Sequence, residues 1–103
     1  MTDGAFLYIL RCADGSYYTG TARKSLETRI AEHNIGLYGG YTASRRPVTL
    51  VYSEWFESAR DAIAAERQIK GWSRAKKEAL IRGDSDVLIA LARRGPRPSR
   101  RSP

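Results

Sequence analysis

A chain of 103 residues with 42% hydrophobic and 28% charged side chains is long enough for one globular domain and too short for two ordinary ones. Its formal charge of +7 invites a nucleic-acid partner, and its single cysteine, Cys12, excludes an intramolecular disulfide and points to a reducing, cytoplasmic setting. No stretch approaches the ~18 apolar residues a membrane helix needs and no basic leader precedes the first apolar run, so no membrane partner is expected.

Residues 5–12, AFLYILRC, are apolar and aromatic enough for a buried strand, and residues 16–21, SYYTGT, read as its hairpin partner. The connection Ala13-Asp14-Gly15 suits a three-residue loop with Gly15 in the left-handed position of a G1 bulge. The loop length decides which faces the tyrosines share. A two-residue Asp14-Gly15 turn would send Tyr8 and Tyr18 to opposite faces. The longer loop pairs Tyr8 with Gly20 and Leu10 with Tyr18, which makes the two phenols diagonal neighbours on one face. A site that uses both tyrosines requires the longer loop.

A helix is predicted from Ser25, its N-cap, to Asn34, with Gly36 near its end. It would bury Leu26 and Ile30. A Gly- and Tyr-rich loop, GLYGGYTASRRP, follows, and then a second apolar strand, VTLVYSEWF, after Pro47. Ser58 with Asp61 signals a helix to about Gly71, Ser73 another to Ile81, and Asp84-Ser85-Asp86 a last one ended by Gly95-Pro96. Residues 1–92 thus form one domain, of α+β class: a small three-stranded antiparallel sheet flanked by helices. Residues 93–103 form a basic, flexible tail. That tail carries Arg93, Arg94, Arg97, Arg100 and Arg101, so removing its five charges from +7 leaves only +2 on the body. It reads equally as a nucleic-acid contact and as a solvated end.

Some residues sit badly for a bland core. Arg29 and His33, the only histidine, are i, i+4 neighbours beside the stripe of the first helix, and burying such groups unpaired is costly. Glu66 falls within the stripe Ala59, Ala62, Ile63, Ile69 of the next long helix. A carboxylate there is either salt-bridged, for instance to Arg29, or holding a metal. One histidine and one cysteine rule against a zinc cluster, whereas a lone carboxylate completed by water and phosphate is how Mg²⁺ is commonly held. A phenol, with an ordinary pKa near ~10, needs an adjacent cation or histidine to act as a base at neutral pH. No Gly-rich phosphate loop of Walker or dinucleotide type occurs.

Together these residues resemble the GIY-YIG nuclease superfamily, especially its small stand-alone bacterial members. The first signature is met by Phe6-Leu7-Tyr8 and the second by Tyr18-Thr19-Gly20. The helical arginine corresponds to Arg29, the histidine a turn later to His33 in RIAEHN, and the glutamate to Glu66 in AAERQIKGW. Phe6 and Thr19 depart from the name tripeptides. Thr21 stands where some members carry a lysine, a place Lys24 or Lys70 could fill.

The resemblance implies a metal-dependent endonuclease that hydrolyses nucleic-acid phosphodiesters, DNA above all. Glu66 would hold one Mg²⁺ or Mn²⁺, and Arg29 would neutralise charge on the phosphate. Tyr8 and Tyr18 would position and deprotonate water, with His33 orienting a phenol or accepting from it. Lys24, Arg45, Arg46 and Lys70 are expected nucleic-acid contacts, and a protein partner could supply target choice. The alternatives are a binding module that has lost turnover and a partner-recruited subunit.

Overall fold

In the computed structural model, which describes residues 3–93, eight elements follow in order. They are β1 (Ala5–Arg11), β2 (Tyr17–Ala22), α1 (Leu26–Asn34), α2 (Gly40–Ala43), β3 (Thr49–Phe56), α3 (Ala59–Lys70), α4 (Arg74–Arg82) and α5 (Ser85–Arg93). The strands form one three-stranded antiparallel sheet, as predicted, and its order is β2-β1-β3. The last helix runs through Arg93; the rest of the expected tail and the Gly95-Pro96 stop lie outside the described residues.

The central strand, flanked by a partner on each side, can bury both of its faces. Leu7 and Ile9 point one way, into a core with Ala65 and Ile69 of α3 and Leu80 of α4. Tyr8 and Leu10 point the other way, into a core with Cys12, Ala22 and Val48 that α1 covers. Each fully buried aliphatic side chain contributes roughly 1.5–3 kcal/mol, so β1 anchors both layers.

Local chemistry sets the ends of the helices. Ser25, Ser58 and Ser73 accept from the amides of Thr28, Asp61 and Lys76, so all three expected N-caps form. Helix α1 stops in a Schellman motif. Gly36, at φ 76°, donates to the His33 carbonyl and Leu37 to that of Glu32. The Asn34 side chain then both donates to and accepts from the Val48 backbone, fastening α1 to the entry of β3.

Three expectations need correction. The Gly- and Tyr-rich segment is not all loop, because residues 40–43 make the helical turn α2. On α1, Leu26 and Ile30 are only half-buried, and His33 is the residue of that helix that is fully buried. On α3 the buried stripe is Ala59, Ala62, Ala65 and Ile69, while Ile63 is exposed. The strand β3 is also less apolar in place than its composition suggests, as it forms a sheet edge. A bulge leaves Val51 as an extra residue between the pairs Ile9–Tyr52 and Leu10–Leu50. Val51 and Tyr52 consequently pack on the same core although they are adjacent in sequence.

Candidate active site

The hairpin loop forms as the longer alternative. Gly15 takes φ 85°, its amide donates to the Cys12 carbonyl at 2.9 Å, and Tyr8 lies opposite Gly20 and Leu10 opposite Tyr18. Both phenols therefore stand on the α1 face of the sheet, with ring centroids 6.4 Å apart. Gly20 opens the space between them. A Cβ there would lie 2.6 Å from the Tyr8 hydroxyl and 3.1 Å from Cε2 of Tyr18.

Helix α1 lays His33 against this pair. The Tyr8 hydroxyl is 3.0 Å from His33 Nε2, and His33 Nδ1 is 2.8 Å from the Thr42 hydroxyl, with all three residues buried. Burial, and next the neighbouring Tyr18, push the Tyr8 phenol up to about 12, an effect that the adjacent Arg29 opposes. Burial, and next the charge of Arg29, hold the His33 imidazole below its ordinary value. A protonated phenol and a neutral imidazole assign the bond directions: Tyr8 donates to Nε2, and Nδ1–H donates to Thr42. The relay is thus satisfied at both ends without any charge. Sequence reasoning missed Thr42, since nothing in the spacing between His33 and a loop threonine signals that the two meet.

The sign of the His33 shift makes a prediction. A lowered folded pKa means that the unfolded chain takes up the proton first, so this contribution to stability is full above about 6.5 and fades as pH falls through the lowered value. Melting curves at about pH 7.5 and about pH 5 are expected to show a drop in Tm that His33→Gln largely abolishes. An equal drop in the two proteins refutes the assignment.

Arg29 borders the same face. Its guanidinium donates to the Thr21 carbonyl at 3.0 Å, pairs with Glu32 at 3.7 Å and lies 5.3 Å from the Tyr38 ring centroid. The Tyr38 hydroxyl donates to Glu32, and its ring centroid is 5.0 Å from that of His33. Tyr41 stacks on Tyr18 at 6.2 Å and 28°. The loop after α1 is thereby an aromatic cover over the tyrosine pair. Its density of tyrosines was a signal that the sequence reading left unused.

Glu66 arrives differently. Its helix packs on the opposite face, against Leu7 and Ile9. Its carboxylate, mostly shielded, pairs not with Arg29 but with Lys70, at 2.6 Å. The Lys70 ammonium in turn lies 5.9 Å from the Tyr18 ring centroid. The structure therefore brings Tyr8, Tyr18, Arg29 and His33 together directly, and links Glu66 to them through Lys70.

The sequence pattern of the GIY-YIG catalytic domain matches residues 4–79. The chain belongs to this family. Among its relatives is a UPF0213 protein of Staphylococcus saprophyticus, 49% identical over 79 residues, covering 77% of this chain and 95% of that one. A UPF0213 protein of Staphylococcus aureus is 46% identical over 80 residues, covering 78% and 96%. Two solution NMR structures share the fold. The UPF0213 protein BH0048 of Bacillus halodurans is 33% identical with a TM-score of 0.52, covering 90% of this chain and 97% of that one. The E. faecalis protein EF2693 is 37% identical with a TM-score of 0.55, covering 81% and 90%. The match reaches from just before β1 into α4, so this GIY-YIG domain holds both tyrosines, Arg29, His33 and Glu66 within it, and α5 lies beyond.

Does the GIY-YIG domain here fit a divalent metal? Among the described residues no group of three or more His, Cys, Asp or Glu could hold one alone. Glu66 offers a single hard oxygen donor, the kind of site that Mg²⁺ or Mn²⁺ completes with water and phosphate. A cation, the Lys70 ammonium, already sits on that carboxylate. The donor chemistry fits.

The other basic residues divide. Lys24 is exposed and lines the cleft beside Arg29. Arg45 is tied to Asp14 at 3.1 Å and lies 3.9 Å over the Tyr41 ring. Arg46 donates to the Ala43 carbonyl at 2.7 Å. Those arginines hold the aromatic cover in place. Among the described residues no helix is long and apolar enough to cross a membrane.

Proposed function

We propose that the chain is a divalent-metal-dependent nuclease that hydrolyses nucleic-acid phosphodiester bonds, with DNA as the favoured substrate. The observation that carries this is the Tyr8–His33 bond of 3.0 Å with the Tyr18 ring against the same imidazole, at 5.2 Å between centroids. Two phenols and a histidine on one face, bordered by a fixed arginine, can hold and orient a water for attack on phosphorus.

The two tyrosines divide the work. Tyr8 is buried, its phenol is held protonated and its hydroxyl is committed to His33, so it positions and does not serve as the base at neutral pH. Tyr18, half-buried and nearer to solvent, is the phenol that meets the water. Arg29, fixed through the Thr21 carbonyl, donates to the scissile phosphate as its charge grows. Glu66 would hold one Mg²⁺ or Mn²⁺, which when bound shields phosphate charge and favours departure of the leaving oxygen. Lys70, beside Tyr18, supplies the cation that Thr21 cannot.

The test uses single- and double-stranded DNA with Mg²⁺, with Mn²⁺ and with EDTA. Wild type is expected to cleave only with metal, and Tyr18→Phe to be slower by about 10² or more. Should Tyr18→Phe and wild type cleave alike, the mechanism is wrong. Salt-sensitive binding without cleavage would instead mark a binding module that has lost turnover.

A further inference from the structure

We infer that a nucleic-acid strand leaving the site runs along a basic groove whose far wall is Arg23, Arg60 and Arg67. This rests on the nuclease reading and adds the path of the backbone flanking the scissile phosphate. The cleft at Arg29, about 620 Å³, and a neighbouring cleft of about 720 Å³ share Arg23, Ala59 and Ile63 in their walls. They form one continuous groove between the start of α1 and the outer face of α3. Lys24 and Arg29 belong to the first part, and Arg60 and Arg67 to the second.

Charge is concentrated there. Outside residues 93–103 the chain has thirteen Lys and Arg against eleven Asp and Glu. The groove takes five of the former and three of the latter (Asp3, Glu32 and Asp61), which leaves the remaining body balanced at eight and eight. The entire positive excess of the body therefore lines this groove. Among the described residues neither Arg60 nor Arg67 is paired with a carboxylate. Arg23 meets Asp3 at 3.6 Å with both side chains well exposed, a pairing worth at most about 1 kcal/mol that a phosphate can replace.

The spacing suits a repeating anion. Arg60 and Arg67 are seven residues apart on one face of α3, with exposed Ile63 and Ala64 between them. Seven residues of helix rise ~10.5 Å. That separation lets the two guanidiniums meet different phosphates of one backbone. Contacts of this kind read the backbone and not the bases, so affinity along the groove is tolerant of sequence and sensitive to salt.

The experiment measures binding of a fluorescein-labelled 20-nucleotide DNA, single-stranded and as duplex, by anisotropy across a salt series, with EDTA present to prevent cleavage. The full-length chain is compared with Arg23→Ala/Arg60→Ala/Arg67→Ala and with Lys76→Ala/Lys77→Ala/Arg82→Ala, which removes equal charge from α4. For the groove variant the expected result is affinity weaker by about tenfold or more and a duplex salt slope smaller by roughly 2 to 3. The α4 variant is expected to keep the wild-type slope. Equal losses in both variants, or an unchanged slope in the groove variant, overturn the groove while leaving the nuclease reading intact. No wild-type binding at low salt sinks that reading, and the groove with it.

Discussion

Replacing Gly20 with alanine is expected to destabilise the fold by about 1–3 kcal/mol and to abolish cleavage. One methyl group has this effect because of what it meets. Its Cβ would stand 2.6 Å from the Tyr8 hydroxyl and 2.7 Å from Cζ of the same ring. A flexible surface side chain could swing aside, but Tyr8 is 1% exposed, packed with Leu10 and Val48, and bonded to His33. Relief requires moving the ring, which breaks the bond to His33 and closes the space next to Tyr18. Chemical denaturation and a cleavage assay together check this. A Gly20→Ala protein with wild-type stability and wild-type cleavage would show that the tyrosine pair is not held as described.

Glu66→Gln should do the opposite: leave the fold intact and remove the activity. The Glu66–Lys70 pair is an i, i+4 contact with Lys70 half-exposed, so losing it costs no more than about 0.5 kcal/mol. Metal-dependent cleavage is expected to fall by on the order of 10² or more, because the described residues near the phenols offer no metal-binding cluster to replace that carboxylate. Titration of Mn²⁺ by electron paramagnetic resonance, without DNA, gives an independent readout in which wild type binds and the variant does not. Retention of both binding and cleavage in Glu66→Gln would remove Glu66 from the metal role. Set beside Gly20→Ala, the two variants separate a site that is misshapen from one that lacks its ligand.

Much of the fold is legible because its signals are local. A serine hydroxyl satisfies an amide three residues away, so Ser25, Ser58 and Ser73 mark helix starts wherever the helices end up packing. Gly15 tolerates the left-handed backbone of the longer hairpin loop, and loop length alone then sets the register that puts Tyr8 and Tyr18 on one face. The tyrosine pair is in that sense written in the sequence.

Other features arise only between elements. The partner of His33 at Nδ1 is Thr42, nine residues away across a turn that only packing shapes. The bulge at Val51 breaks the alternation that a strand pattern relies on. On α3 the burial is carried by Ala65 and not by Ile63. Apolar periodicity cannot choose between two flanks when small alanines carry the burial.

By itself, then, the sequence determined the hairpin register, the helix starts and the residue types of the site, since each depends on neighbours within a few positions. The tertiary structure decided how those residues connect: Tyr8 to a neutral His33, Glu66 to Lys70, and two arginines of α3 to the groove beside Arg29. A hydrogen bond or an ion pair acts over about 3 Å, and only the packing of the sheet against its helices brings groups so far apart in the chain to that distance.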